Sequence, residues 1–205
     1  ELVMHPIKAC GIVNELYIAV AKNRLYASQG RASANEFAAQ ARELFQADAG
    51  LADYFHRELA GGKWNQMMSQ THIGYTNWQQ PPENTMPAVR EIEVPTAASM
   101  GIAVEGSESA WPGAKDSPVL PEFDVFNQPR RYIDVFNRGQ APFEFEAAAS
   151  APWIRVTPSR GTVSKDQRLW VSIDWNTVPL GTATGNIKLI GAAAEPVVVQ
   201  VRVCN

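Results

Sequence analysis

The stretch of residues 61–82, GGKWNQMMSQTHIGYTNWQQPP, carries the side chains with the most evident capacity for chemistry. It combines flat aromatic faces with amide, imidazole and ammonium groups, a combination suited to binding a hydroxylated, carboxylated sugar. The candidate substrate-binding residues are Lys63, Trp64, Asn65, His72, Tyr75 and Trp78. The same composition also fits a loop whose aromatic rings wedge between two domains, so composition alone leaves both interpretations open.

Sequence motifs of known catalytic chemistry are absent: there is no GxSxG, HExxH, CxxC or glycine-rich nucleotide-binding motif. His5, His56 and His72 lack the spacing of metal ligands, so neither a metal nor another cofactor is predicted. Most of the carboxylates of the second half are expected on the polar, solvated side of alternating strands. The set considered is Asp124, Asp134, Glu144, Glu146 and Asp174. We therefore assign no catalytic residue.

Composition narrows the class of protein. The 205 residues are 45% hydrophobic and 19% charged, which is typical of a globular protein, and no apolar run is long enough to span a membrane. A net charge of −3 with scattered basic residues gives no indication of a nucleic-acid partner. Cys10 and Cys204 do not report the compartment, and no disulfide is predicted between them. The first residues, ELVMHPIKAC, suggest a piece of a longer polypeptide.

Helical periodicity organises residues 1–88. It predicts helices over residues 6–29, 34–47 and 51–59, with apolar side chains recurring every three or four positions. Asp48 to Gly50 reads as a turn between the second and third helices. These elements predict a small helical bundle that carries the aromatic and polar loop at residues 61–82.

Residues 89–205 read as β-structure. Residues 89–120, rich in Pro, Gly, Ser and Ala, are predicted as a linker with short strands at 91–94 and 100–105. From residue 121 onward apolar and polar side chains alternate, as in LWVSIDW and VVVQVRV. The expected fold is therefore α+β and multidomain, with the helical bundle followed by an antiparallel immunoglobulin-like β-sandwich over residues 121–205.

Two features of the β half allow a functional and a structural interpretation. FDVFN at 123–127 and IDVFN at 133–137 are most simply the two strands of a hairpin, rather than a duplicated binding motif. Trp170 lies on the face opposite Leu169 and Val171, where an exposed ring could stack on a sugar. We expect another segment to cover that ring.

Several segments resemble the C-terminal region of glycoside hydrolase family 115, the xylan α-1,2-glucuronidases. They are ELYIAVAKNRLYASQGRAS, ELAGGKWNQMMSQTHIGYTNWQQPPENTMP, GIAVEGSESAWPG and LPEFDVFNQPRRYIDVFNRG. APWIRVTPSRGTV, followed by VSIDW and a valine-rich strand, resembles the immunoglobulin-like BACON modules of many bacterial carbohydrate-active proteins. Together these similarities cover nearly the whole chain.

The resemblance implies a parent enzyme, extracellular or periplasmic, that removes glucuronic acid or its 4-O-methyl ether from glucuronoxylan or aldouronic acids by inverting hydrolysis. Such chemistry needs an acid and a base on opposite faces of the sugar, which the family places mainly in an upstream (β/α)₈ barrel. A barrel of that kind takes about 250 residues, so this chain is expected to be the inactive supporting part. The alternatives are a carbohydrate-binding module and a homodimerisation module.

Overall fold

A computed structural model describes residues 2–205, which form two compact units. The first unit comprises the described residues up to Ala27 together with Ala34–Ile92, and the second comprises Ser28–Ser33 together with Glu93–Asn205. Each unit has its own hydrophobic core. Within the described residues, no helix combines the length and the apolar character needed to cross a membrane.

Two helices build the first unit. Helix α1 spans Met4–Gln29 and helix α2 spans Ala34–Asp53, and α2 is followed by a π-helical turn at Tyr54–Glu58 and a 3₁₀ turn at Leu59–Gly62. The apolar side chains of both helices meet because they recur at three- and four-residue intervals. The buried members of this core are Leu16, Ala19, Val20, Ala41 and Ile73.

The helical region is smaller than the predicted bundle. The expected turn at Asp48 to Gly50 is wrong, because α2 continues through it to Asp53. Asp48 is buried with its carboxylate bonded to His72, and Gly50 does not adopt a positive φ. The helical path breaks later, at Ala60 and the following glycine, which both take left-handed conformations.

An irregular segment near residue 90 is held by asparagine side chains. Asn23 accepts a hydrogen bond from the Arg90 amide and donates to the Arg90 carbonyl at 2.7 Å each. Asn35 does the same to Ile92 at 2.9 Å. The predicted strand at residues 91–94 is absent from the structure, because side-chain amides satisfy backbone groups that a strand would pair with a neighbouring strand.

Nine strands in two sheets build the second unit. Their bounds are Met100–Val104 (β1), Phe123–Asp124 (β2), Arg131–Asn137 (β3), Phe143–Ala149 (β4), Ile154–Thr157 (β5), Arg160–Val163 (β6), Asp166–Ile173 (β7), Thr182–Ile190 (β8) and Val197–Cys204 (β9). One sheet is antiparallel, with the strand order β1-β3-β7-β5. The other has the order β2-β9-β8-β4-β6, and in it only the pair of β2 and β9 is parallel.

Alternation along the strands supplies the core between the sheets. Alternate residues of β7, including Leu169 and Val171, are buried together with alternate residues of β9, including Val199 and Val201. Side chains of a strand point to opposite faces in turn, so one apolar set from each sheet faces inward. The predicted order, helices followed by a β-sandwich, is confirmed.

The second unit begins earlier than predicted. Residues 89–120 were expected to be a linker with short strands, and the strand predicted at residues 100–105 is present as β1. It belongs to the sandwich, because β1 pairs with β3, and Ile102 exchanges two backbone hydrogen bonds with Trp111. Trp111 and Leu120 are buried in the sandwich core. The density of Pro and Gly that suggested a linker instead reflects tight turns within the sandwich.

The repeated FDVFN and IDVFN segments do not form a hairpin. Phe123 lies on β2, which pairs with β9 in one sheet, whereas IDVFN lies on β3 in the other. The Asp124 carboxylate accepts hydrogen bonds from the backbone amides of Phe126 and Asn127 and turns the chain away. The second segment therefore enters the opposite sheet.

Asn137, at the end of β3, organises the turns around it. Its side-chain oxygen accepts from the amides of Ser99 and Gly139, and its side-chain nitrogen donates to the carbonyls of Ala141 and Ser164. The residue is fully buried. One carboxamide thus satisfies backbone groups from three separate loops.

Asn137→Ala is expected to lower the free energy of unfolding of the second unit by about 3 kcal/mol, because it leaves several buried backbone groups without partners. Urea unfolding followed by tryptophan fluorescence measures this loss. Asn186→Ala, at an exposed position of β8, is the matched control and is expected to change stability by less than about 0.5 kcal/mol. Equal effects of the two substitutions would contradict the role assigned to Asn137.

Candidate functional site

The predicted binding residues lie on an exposed irregular loop, residues 61–82. Trp78 is 88% exposed and Tyr75 is 41% exposed, while the Tyr75 hydroxyl donates to the Thr71 carbonyl. Lys63 places its ammonium 4.7 Å from the centre of the Trp64 ring. Apart from the 3₁₀ turn at its start, the loop makes no helix or strand.

The centre of this loop is anchored although its side chains are exposed. Asn84 accepts hydrogen bonds from the amides of His72 and Ile73 at 2.8 and 3.0 Å, and the Ile73 side chain is buried in the core. The Tyr17 hydroxyl of α1 accepts from the Gly74 amide at 3.2 Å. Residues 72–74 are thereby held against the helices, and Trp78 projects from an anchored base.

A groove of about 700 Å³ runs between the start of α1 and this loop. Helix α1 contributes His5, Pro6, Ala9, Cys10, Val13 and Asn14, and the loop contributes Gln66, Met67, Met68, Ser69, Gln70, His72 and Gln80. Of the six predicted binding residues, only His72 lines the groove. The groove therefore offers amide, thioether and imidazole groups rather than the aromatic faces that the composition emphasised.

His72 joins the loop to α2 through a buried carboxylate. Its Nε2 lies 2.9 Å from both carboxylate oxygens of Asp48, and its Nδ1 lies 3.0 Å from the Gln70 carbonyl oxygen. Both partners accept hydrogen bonds only, so both ring nitrogens donate when the imidazole is protonated. The structure thus favours the imidazolium form of His72.

The pKa of His72 follows from the same contacts. Burial by itself lowers the pKa, but the hydrogen bonds to the Gln70 carbonyl and the Asp48 carboxylate, with the charge of that carboxylate, outweigh it and raise the pKa above its ordinary 6.5. The His72 side chain remains 37% exposed, so solvent screens part of the attraction.

The other two histidines lie at the same end of the unit. His56 accepts a hydrogen bond from the Gln66 amide at its Nδ1, 2.9 Å away, and the His5 ring stacks on Phe55 at 4.2 Å. Burial and the charge of His56 lower the pKa of His5, the Asp48 carboxylate opposes the shift, and His72 adds to it. His5 therefore loses its proton at a lower pH than His72.

Sequence reasoning missed this convergence. His5, Asp48, His56 and His72 lie far apart along the chain, so no spacing motif relates them, and only the packing of the loop on the helices brings them together. They do not make a metal site: in residues 2–205, no group of three or more His, Cys, Asp or Glu side chains could hold an ion.

The charge state of His72 predicts a pH-dependent anchor. Because its folded pKa is raised above 6.5, the pairing stabilises the first unit fully below that pH, and the stabilisation is lost as pH rises through the folded pKa. The difference in unfolding free energy between wild type and His72→Gln should therefore shrink between about pH 6 and about pH 8. Urea titrations of both proteins at each pH measure it.

Asp48→Asn tests the cause of the shift, since it should return the pKa of His72 toward its ordinary value in an NMR titration of the imidazole. Asp53→Asn is the control, because that carboxylate lies on α2 but is exposed and paired with Arg57. A His72 that titrates at or below 6.5 in the wild-type protein would contradict the assignment.

Comparison with known proteins leaves the family of the chain open. No protein-family model matches the sequence, and no curated protein matches it either.

Among solved structures, the chain is similar at low TM-scores to several proteins. One is a GH5 xyloglucanase of Bacteroides ovatus in complex with a XXXG heptasaccharide, with a TM-score of 0.34 and 16% identity over 50% of this chain and 18% of the xyloglucanase. Another is the chaperone YadV, with a TM-score of 0.37 and 9% identity over 50% of this chain and 51% of the chaperone. A third is the ASH/PapD-like domain of human CEP192, with a TM-score of 0.39 and 11% identity over 61% of this chain and 97% of that domain. The chain thus spans about a fifth of the xyloglucanase and half of the chaperone.

Proposed function

We propose that this chain is the non-catalytic C-terminal part of a xylan α-1,2-glucuronidase of glycoside hydrolase family 115. The proposal rests on the resemblance of its helical and β segments to that family, with the second unit as an immunoglobulin-like, BACON-like module. The parent enzyme would act outside the cytoplasm on glucuronoxylan or aldouronic acids. The chain would support the upstream barrel, and the loop at residues 61–82 would rim its active-site cleft.

The observation that carries the role of the loop is the exposure of Trp78 on an anchored base. An indole that is 88% exposed gains nothing from burial within its own chain, so its apolar surface is available to a sugar or to another domain. The contacts at residues 72–74 limit the motion of the base from which it projects. Anchoring of residues 72–74 reduces the conformational entropy that the base of the loop would lose on binding.

The loop is suited to recognition rather than to proton transfer. Both ring nitrogens of His72 are engaged by Gln70 and Asp48, so the imidazole is not free to act on a substrate. Inverting hydrolysis requires two carboxyl groups on opposite faces of the sugar. In this proposal the barrel supplies them, and Tyr75 and Trp78 supply stacking and hydrogen bonding at the cleft.

The test uses the complete parent enzyme with aldouronic acids as substrates. Trp78→Ala and Tyr75→Ala are each expected to lower kcat/KM about tenfold, equivalent to roughly 1.4 kcal/mol of lost stacking in the transition state. His72→Ala should act through the position of the loop and give a smaller loss. Phe126→Ala, which removes a 93% exposed ring from the second unit, is the matched control and should leave the kinetics unchanged. Wild-type kinetics for all three loop variants, with normal folding, would refute the role at the cleft.

A second candidate function, independent glycan binding, is favoured by one observation on the sandwich. Trp170 is 39% exposed, although we expected another segment to cover it. Tyr132 packs edge-on against its ring at 6.0 Å, and the Arg130 guanidinium lies 5.0 Å from its centre. Aromatic rings beside a guanidinium form a surface that suits an acidic sugar.

Affinity electrophoresis of the 205-residue chain in glucuronoxylan tests this candidate. If the surface binds, the polysaccharide retards the chain, Trp170→Ala abolishes the retardation, and Trp78→Ala does not. No retardation of the wild-type chain would reject independent binding and leave the supporting role. A loss of retardation with Trp78→Ala alone would move the binding site to the loop. Homodimerisation remains a further structural role that we propose for the chain.

A further inference from the structure

A pocket of about 540 Å³ is lined by residues of the second unit, and neither Trp170 nor any residue of the loop is among them. Segments 28–29 and 108–114 form its walls together with the end of β3. Among its lining residues are Ser28, Gln29, Glu108, Ser109, Pro112 and Arg138. The pocket is polar, and the half-buried guanidinium of Arg138 is its distinctive group.

The fold holds Arg138 in one place. Its Nε donates to the Gln29 carbonyl at 3.1 Å, and its Nη1 donates to the Pro112 carbonyl at 2.9 Å. Its guanidinium carbon lies 5.6 Å from the centre of the Phe136 ring. A Cβ at Gly101 would lie 3.0 Å from Nε and 2.3 Å from that ring, so the glycine is required for this close packing. Arg138 is therefore positioned before any ligand arrives.

Arg138 differs from the neighbouring arginine in its counter-ions. Arg31 lies over the same Phe136 ring at 4.3 Å and reaches the carboxylates of Asp134 and Asp166 at 3.5 and 3.1 Å. The side chain of Arg138, by contrast, hydrogen-bonds only to neutral carbonyls within residues 2–205. A partly buried cation without a counter-ion is unfavourable, and burial lowers the pKa of Arg138 accordingly.

The guanidinium retains unused donors. It carries N–H groups on three nitrogens, and the two carbonyls occupy only part of them, so donors on Nη1 and Nη2 remain. Paired donors in a plane match the two oxygens of a carboxylate. Glu108, which also lines the pocket, adds negative charge and so disfavours a dianion such as phosphate relative to a monoanion.

We propose that this pocket binds the carboxylate group of a small organic monoanion, with the Arg138 guanidinium as its principal ligand. Glu108 is the competing charge at the site, and Ser109 is a neighbouring polar residue. The site is separate from the loop at residues 61–82, and it stands whether or not the chain belongs to a glucuronidase.

The test is an NMR titration of the ¹⁵N-labelled 205-residue chain, following the backbone amides of Ser109 and Gly113. Acetate should cause saturable shifts, and neutral acetamide should not. Arg138→Gln is expected to weaken acetate binding at least tenfold, because it removes the charged hydrogen bonds. Glu108→Gln should strengthen binding severalfold by removing the competing charge. Arg202→Gln, which removes an exposed guanidinium on β9 whose printed partner is the neutral Gln200 side chain, is the matched control and should leave the titration unchanged.

Other results would overturn the proposal. They are shifts that grow linearly with acetate without saturating, equal responses to acetate and acetamide, binding that Arg138→Gln leaves intact, and phosphate binding tighter than acetate. The Arg138→Gln variant loses the hydrogen bonds to Gln29 and Pro112 and can fail to fold for that reason. In that case the acetate affinity of the Glu108→Gln variant tests the proposal by itself. Unchanged or weaker acetate affinity in that variant would refute the assignment.

Discussion

Long irregular segments can pack in this protein only because their buried backbone groups find partners outside helices and sheets. Asparagine side chains supply many of these partners, since one carboxamide both donates and accepts. Asn23 and Asn35 hold the segment near residue 90, Asn84 holds residues 72–73, and Asn137 joins three loops beside β3. In each of these segments, hydrogen bonds to an asparagine side chain take the place of the backbone hydrogen bonds of a helix or a sheet. These hydrogen bonds give the loops defined positions.

The anchored loop shows how this constraint bears on function. Asn84, Tyr17 and the His72–Asp48 pair together hold residues 72–74. The pair adds a charged connection between the loop and the middle of α2, and its strength depends on the protonation of an imidazole. Because the base of the loop is held, its exposed rings need not be buried by the chain itself. The loop therefore combines a held base with exposed aromatic surface.

Charge balance in the second unit follows a related rule. Two guanidinium groups share the Phe136 ring, yet only Arg31 has carboxylate partners there. The fold compensates Arg138 with backbone carbonyls, which satisfy its hydrogen bonds without neutralising its charge. The charge of Arg138 that no carboxylate neutralises is a physical reason for an anion to bind in the pocket. This charge is recognised only when every partner of the guanidinium has been identified.

The sequence by itself determined the elements whose signals are local. The three- and four-residue period of α1 and the alternation in β7 and β9 predicted these elements, because they depend on neighbours a few residues away. The loop at residues 61–82 was likewise recognisable from composition. These local patterns were sufficient for the order of helices and sandwich.

Only the tertiary structure decided the features that depend on distant partners. Asp48 lies within a helix, where its carboxylate binds His72, instead of turning the chain, and the FDVFN segment joins β9 instead of its repeat. The convergence of the histidines and the missing counter-ion of Arg138 are equally long-range. Local periodicity carries no information about which distant groups become neighbours, since that depends on how the whole chain satisfies its buried polar groups and packs its apolar faces.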